Sequence, residues 1–170
     1  MRVTGSVHRR ARSVVATCLW MVIAAVAPSV AAGQEVGARP QPEGRLDLIA
    51  GSMSAVHAGV GVNVPAGYYA RVGLLAAAGA RVSGDGGASA RVDAIARFLF
   101  DPVFEERWGL SAGGGVSVRY DGGTGWRPFL VVVVDLEAPG RGPVIPAVQV
   151  GLGGGVRVGV ALRKRDGRRR

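Results

Sequence analysis

Cysteine is almost missing from this 170-residue chain: the single one, Cys18, falls in a stretch that reads as a removable leader. After that stretch the chain can form no disulfide, offer no thiol nucleophile and build no cysteine-ligated zinc site. Histidine and lysine are nearly as scarce, with His57 the only histidine after His8 and Lys164 the only lysine. Aromatic residues make up 6% of the sequence, which suits many short strands better than one large globular core. Long apolar runs are lacking too. The longest, Val14 to Ala27, is shorter than the ~20 residues with which a helix spans a bilayer.

Charge of one sign is confined to the ends. The net charge of +9 invites a nucleic-acid or anionic-membrane reading, but residues 34 to 162 hold 11 arginines and 11 acids. The excess comes from Arg2, Arg9, Arg10 and Arg12 at one end and from residues 163 to 170 at the other. A nucleic-acid groove needs clustered basic charge with interleaved aromatics on one exposed face, and the neutral body has none, so no nucleic-acid partner is expected.

The basic N-terminal head, the apolar middle and the exit Ser29-Val30-Ala31-Ala32-Gly33 form a signal-peptide pattern, with cleavage predicted after Ala32 or Gly33. Cys18 lies at the start of the apolar run and is badly placed for lipid attachment at a processed terminus. Residues 34 to 44, with Pro40 and Pro42, read as a linker, residues 45 to 163 as the folded domain, and residues 164 to 170 as a basic tail.

What the chain has in abundance is alternation. Between Arg39 and Arg163, 22 residues are Arg, Lys, Asp or Glu, and only Glu106 has an even number. In Trp126 to Glu137 the even positions include Trp126, Leu130, Val132, Val134 and Leu136, and the odd ones Arg127, Asp135 and Glu137. Side chains of an extended chain point to opposite faces in turn, so this pattern is that of strands with one oily and one charged face. The same parity runs through residues 45–64, 68–82, 88–100, 108–120 and 147–162, separated by turn-forming sequences such as Pro65-Ala66-Gly67, Gly84-Asp85-Gly86-Gly87 and Asp121-Gly122-Gly123. In 88–100, a helix would scatter Arg91, Asp93 and Arg97 around its cylinder, whereas a strand gathers them on one face. Six strands result if the first and last segments are continuous, and eight if both fold into hairpins. Short turns between successive strands predict an all-β, antiparallel up-and-down barrel, whose closure removes exposed edges.

In a water-soluble barrel the oily face would point inward; in a membrane barrel it points outward and the lumen takes the charge. Aromatics at strand ends favour the second arrangement: Tyr68, Phe98, Phe100 and Trp108 fall near one rim, Tyr120 and Trp126 near the other, as in a pair of interfacial girdles. So does a charged face rich in glycine and arginine, since a narrow lumen must leave room for guanidinium groups. Arg71, Arg91, Asp93, Arg97, Arg119, Arg127, Asp135 and Arg157 are the candidate lumenal residues. Charges in a dry interior are costly unless paired, so Asp93 and Asp135 are expected to bridge arginines.

On these features the segment from Arg45 to Leu162 resembles the small outer-membrane β-barrel proteins of Gram-negative bacteria. The resemblance implies an exported monomer that enters the outer membrane through the barrel-insertion machinery, with the lipid bilayer as its partner and a structural, adhesive or minor permeability role. Those proteins usually end in an aromatic residue, and here Leu162 is followed by a basic run instead. The alternative is a soluble periplasmic barrel that binds a small apolar ligand in an oily interior.

Catalytic and cofactor chemistry finds little support. His57 could be drawn into a nucleophilic triad with Ser52, Ser54 and Asp47, but no spacing enforces the geometry. Gly151-Leu152-Gly153-Gly154-Gly155 lacks the helix a phosphate loop requires. The isolated turn acids supply too few oxygens for calcium. The expectation is a protein that is not an enzyme and has no cofactor or metal.

Overall fold

The computed structural model describes residues 39–84, 86–100, 107–140 and 142–164. The expected signal peptide and the tail after Lys164 lie outside these residues. Eight strands follow in order: β1 (Gln41–Ala50), β2 (Ala55–Pro65), β3 (Ala70–Arg81), β4 (Ala88–Leu99), β5 (Gly109–Asp121), β6 (Gly125–Glu137), β7 (Val144–Leu152) and β8 (Val156–Lys164). Each pairs antiparallel with the next, and β8 closes on β1. The choice between six and eight strands is settled as eight, because Gly51–Ser54 and Gly153–Gly155 are both turns. In the second of these all three glycines adopt positive φ, which side chains resist.

Two boundaries differ from expectation. β1 begins at Gln41, inside the presumed linker, because Glu43 points inward to Arg163 and Pro42 occupies an outward position opposite Val62. β7 begins at Val144, so Pro146 lies in a strand. Its side chain faces outward and its carbonyl still accepts a bond from Ala138 N–H.

The register fixes the barrel's shape. From Ile49 it leads through Arg157, Gly151, Val133, Gly113, Arg97, Arg71 and Pro65. Extending the β1–β2 pairing two residues past Gln41 brings it back to position 39, so one circuit shifts the chain from 49 to 39, ten residues. Such a stagger tilts the strands by about 35–45° to the axis, and eight strands leave an interior just wide enough for side chains to fill.

Parity then decides what fills it. The buried positions are odd-numbered throughout the strands, with Arg45, Asp47, His57, Arg91, Asp93, Arg119, Asp135 and Arg163 among them. Leu46, Leu48, Val60, Leu74, Leu130, Val132, Val150, Val158 and Leu162 stand exposed on the outer face. Buried apolar contact is small, a cluster of Ile95, Val131 and Val133. The inside of this barrel is polar and the outside oily.

The odd-numbered glycines have two functions. At Gly73 an added Cβ would lie 2.6 Å from Arg97 Nη1 and Asn63 Oδ1, and at Gly159 it would strike Asp47, so these two make room for charged side chains as expected. At Gly59, Gly61, Gly79, Gly113, Gly115 and Gly151 the obstacle is instead the backbone of the neighbouring strand. There glycine permits close strand approach in a tightly curved sheet. Gly115→Ala would set its Cβ against the Ala94 carbonyl oxygen and 2.8 Å from Ile95 Cα. It should cost about 1–3 kcal/mol, read as a lower urea midpoint with an unchanged strand signal in circular dichroism.

Candidate functional site

Among the described residues, polar and charged side chains collect in the lumen. In its lower part, nearer the rim that holds both termini, Arg163 is the hub. Its guanidinium reaches Glu43 Oε2 at 2.8 Å, Asp135 Oδ1 at 2.8 Å and Glu137, so one cation serves three carboxylates from β1 and β6. Asp135 also accepts from Arg97 Nε at 2.9 Å and Gln149 Nε2 at 2.8 Å. Asn63 bridges Arg97 to Glu43 through two bonds of 2.8 Å, and Arg71 pairs with Glu137 at 3.2 Å. Arg71 is only partly buried, as its place near the rim requires.

Midway up, Arg45 joins Gln149 to Asp47, and Asp47 in turn holds Arg91. Asp93 lies 3.6 Å from Arg91 Nε and takes both terminal nitrogens of Arg157, at 3.2 and 3.3 Å. Arg157 crosses to β5 as well, donating to Ser117 Oγ at 2.8 Å. These bonds tie β1, β4, β5, β7 and β8 together across the barrel axis. Such cross-ties replace the apolar core that a soluble barrel would have, and a network of this kind is stable only when nearly complete. Asp93→Ala would leave Arg157 with Ser117 alone and Arg91 with Asp47 alone; a clear fall in melting temperature is expected, whereas an unchanged melt would remove Asp93 from the support of the fold.

Toward the opposite rim a smaller cluster adjoins this network, with Arg119 directly opposite Arg91 in the register. Ser89 Oγ lies 2.9 Å from His57 Nε2, 2.9 Å from Asp121 Oδ1 and 3.1 Å from the Tyr120 carbonyl oxygen. Neither of the last two carries a proton, so the hydroxyl donates toward them and His57 Nε2 donates to Ser89. Arg119 pairs with Asp121 at 2.8 Å and donates to the Met53 carbonyl at 3.3 Å. The serine beside His57 is therefore Ser89 on β4, not Ser52 or Ser54. Asp121 binds the serine, whereas a triad places its acid on the far nitrogen of the histidine. His57 and Ser89 are both shut away from solvent. Among the described residues no group of three or more His, Cys, Asp or Glu side chains is placed to hold a metal ion.

Of the eight lumenal candidates, seven face inward and form ion pairs. Arg127 does not. It is exposed, two residues from the start of β6 and opposite Arg119 in the register, and no ion pair joins it to another described residue. β7 pairs with β6 only from Val132 onward, so around Arg127 strand β6 runs beyond its neighbour and the side chain is not enclosed, and a neighbouring guanidinium disfavours an inward pose. Glu43 falls in the expected linker and Arg163 is the last residue of the expected domain, beyond the strand pattern ending at Leu162, and Gln149, Asn63 and Ser117 carry no charge to mark them. Their odd numbers were the available signal.

At the rims Tyr68, Phe98, Phe100 and Trp108 are exposed on the side of the termini, where Tyr69 joins them, stacking on Phe98 with centroids 5.8 Å apart. Tyr120 and Trp126 meet at 5.4 Å at the far rim. Phe129 is the exception in the aromatic set, an odd-numbered residue turned inward with its ring 5.5 Å from the Arg119 guanidinium.

Comparison with known proteins adds no relative: no family model matches the chain, and no curated protein matches it. The function has to be argued from the barrel itself.

Proposed function

We propose that this protein is an integral barrel of a bacterial outer membrane with a structural, non-enzymatic role. The observation that carries the reading is the outer surface: an apolar belt covers the wall, with Leu130 82% and Val132 61% exposed, and aromatic side chains flank it at both rims. Water would penalise a belt of this extent, and single apolar surface residues are common where continuous apolar belts are not. Within the membrane reading, a sealed interior argues for structure over permeation. Asp135, His57, Asp93 and Arg163, at different heights of the lumen, are each at most 1% exposed, so bulk water does not reach them. The connections at the rim away from the termini, 51–54, 82–87, 122–124 and 153–155, are too short to project an adhesive surface. The soluble alternative needs an oily interior for its ligand, and this interior is ionic.

The deciding experiment is fractionation of the full-length protein in a Gram-negative host. The carbonate-washed outer membrane is run boiled and unboiled on a denaturing gel. A membrane-resident band whose mobility changes on boiling is the expected result. A soluble periplasmic band would overturn the membrane reading.

A further inference from the structure

Four buried guanidinium nitrogens of the lumen, carrying six N–H bonds between them, have no acceptor among the described residues, and they belong to three arginines that all face His57. They are Arg91 Nε and Nη1, Arg119 Nη1 and Arg157 Nε. Arg91 and Arg119 sit directly opposite each other on β4 and β5. Arg157 comes from β8 to meet them: it shares Asp93 with Arg91 and bonds Ser117, two residues before Arg119 on the same strand. All three are at most 3% exposed. The charges facing His57 from the surrounding strands are those of Arg91, Arg119, Arg157 and Asp47. His57 Nδ1 is also without a partner, but with Nε2 donating to Ser89 it is a lone pair that can take at most one N–H. Five N–H bonds would still be unmet, and an unmet buried donor on a charged group is expensive.

The charge balance points the same way. Seven guanidiniums face the lumen in the strands below the far rim: Arg45, Arg71, Arg91, Arg97, Arg119, Arg157 and Arg163. Against them stand six carboxylates: Glu43, Asp47, Asp93, Asp121, Asp135 and Glu137. Among the described residues, one positive charge of the lumen is uncompensated. In the lower network Arg71, Arg97 and Arg163 balance Glu43, Asp135 and Glu137, so the surplus lies higher, where Arg45, Arg91, Arg119 and Arg157 face only Asp47, Asp93 and Asp121.

We propose that the lumen holds one small monovalent anion, of the size and charge of chloride, between Arg91, Arg119 and Arg157. Such an ion accepts several N–H bonds at once and neutralises the surplus charge, both of which a water molecule does less well. Phe129 roofs the site. Its ring covers Arg119 and lies under the β7–β8 turn, 3.2 Å from where a Cβ on Gly154 would be, so the ion is enclosed. The site follows from the barrel interior and is independent of whether the outer face meets lipid.

Bromide is the probe, since it replaces chloride and scatters anomalously. Crystals of the folded barrel grown in bromide should show one lumenal anomalous peak within hydrogen-bond reach of the three arginines. An ordered lumen without that peak would overturn the proposal. In solution, replacing gluconate by bromide at constant ionic strength should raise the melting temperature by roughly 5–10 °C at a hundredfold excess over Kd, and the rise should continue with the logarithm of bromide concentration. Arg119→Met removes the surplus charge and should abolish the bromide-specific rise. A rise equal in wild type and variant would mean a general salt effect and count against the site. Should the variant fail to fold, the bromide peak in the wild-type crystal decides alone.

Discussion

Asp135→Ala should destabilise the barrel by about 3–5 kcal/mol, the cost of leaving a buried charge without its partner. The carboxylate is fully buried and binds three groups, Arg97 and Gln149 from neighbouring sides and Arg163 from β8. Removing it turns the surplus of one positive charge into two and strips Arg97 of its only ion pair among the described residues. Asp135→Asn keeps the volume and one acceptor, and should fall between alanine and wild type. Urea unfolding of the protein reconstituted in lipid or detergent, followed by the fluorescence of Trp108 and Trp126, measures both. Equal stability of all three forms would mean that the network does not hold the lumen together.

Val132→Arg probes the other face. Val132 lies near the middle of β6 between Gly114 and Leu152 in the register, with its side chain outward. An arginine at mid-bilayer on the lipid face of a barrel costs about 2–4 kcal/mol. The same substitution on a water-facing surface costs almost nothing. Folding yield and unfolding free energy in vesicles, compared with wild type, therefore distinguish the two environments. Wild-type behaviour in lipid would reject the proposed membrane topology, and a loss in vesicles with little change in a charged detergent micelle would support it. The two substitutions attack different supports: Asp135 acts through the interior whatever surrounds the barrel, Val132 only through the surroundings.

The sequence by itself determined the strands and their faces. Strand geometry has a period of two, so the odd numbering of nearly every charge was already a statement that Arg91, Asp93, Arg97 and Asp135 share one surface and Val132 and Leu130 the other. Turn chemistry marked most of the strand ends for the same local reason, since glycine and proline act on their own backbone. Parity could not reveal which face is inside, nor how many strands close the barrel, because a continuous alternation crosses Gly51 to Ser54 without changing phase. Those are decided by closure: eight strands with a stagger of ten residues make a lumen that guanidinium groups can just fill. Partnerships were likewise a tertiary matter. Arg157 meets Asp93 across 64 residues of chain and Arg163 meets Glu43 across 120, and no local rule pairs them. Only the circuit of the sheet brings β8 beside β1, and with it the arginine that gathers three carboxylates.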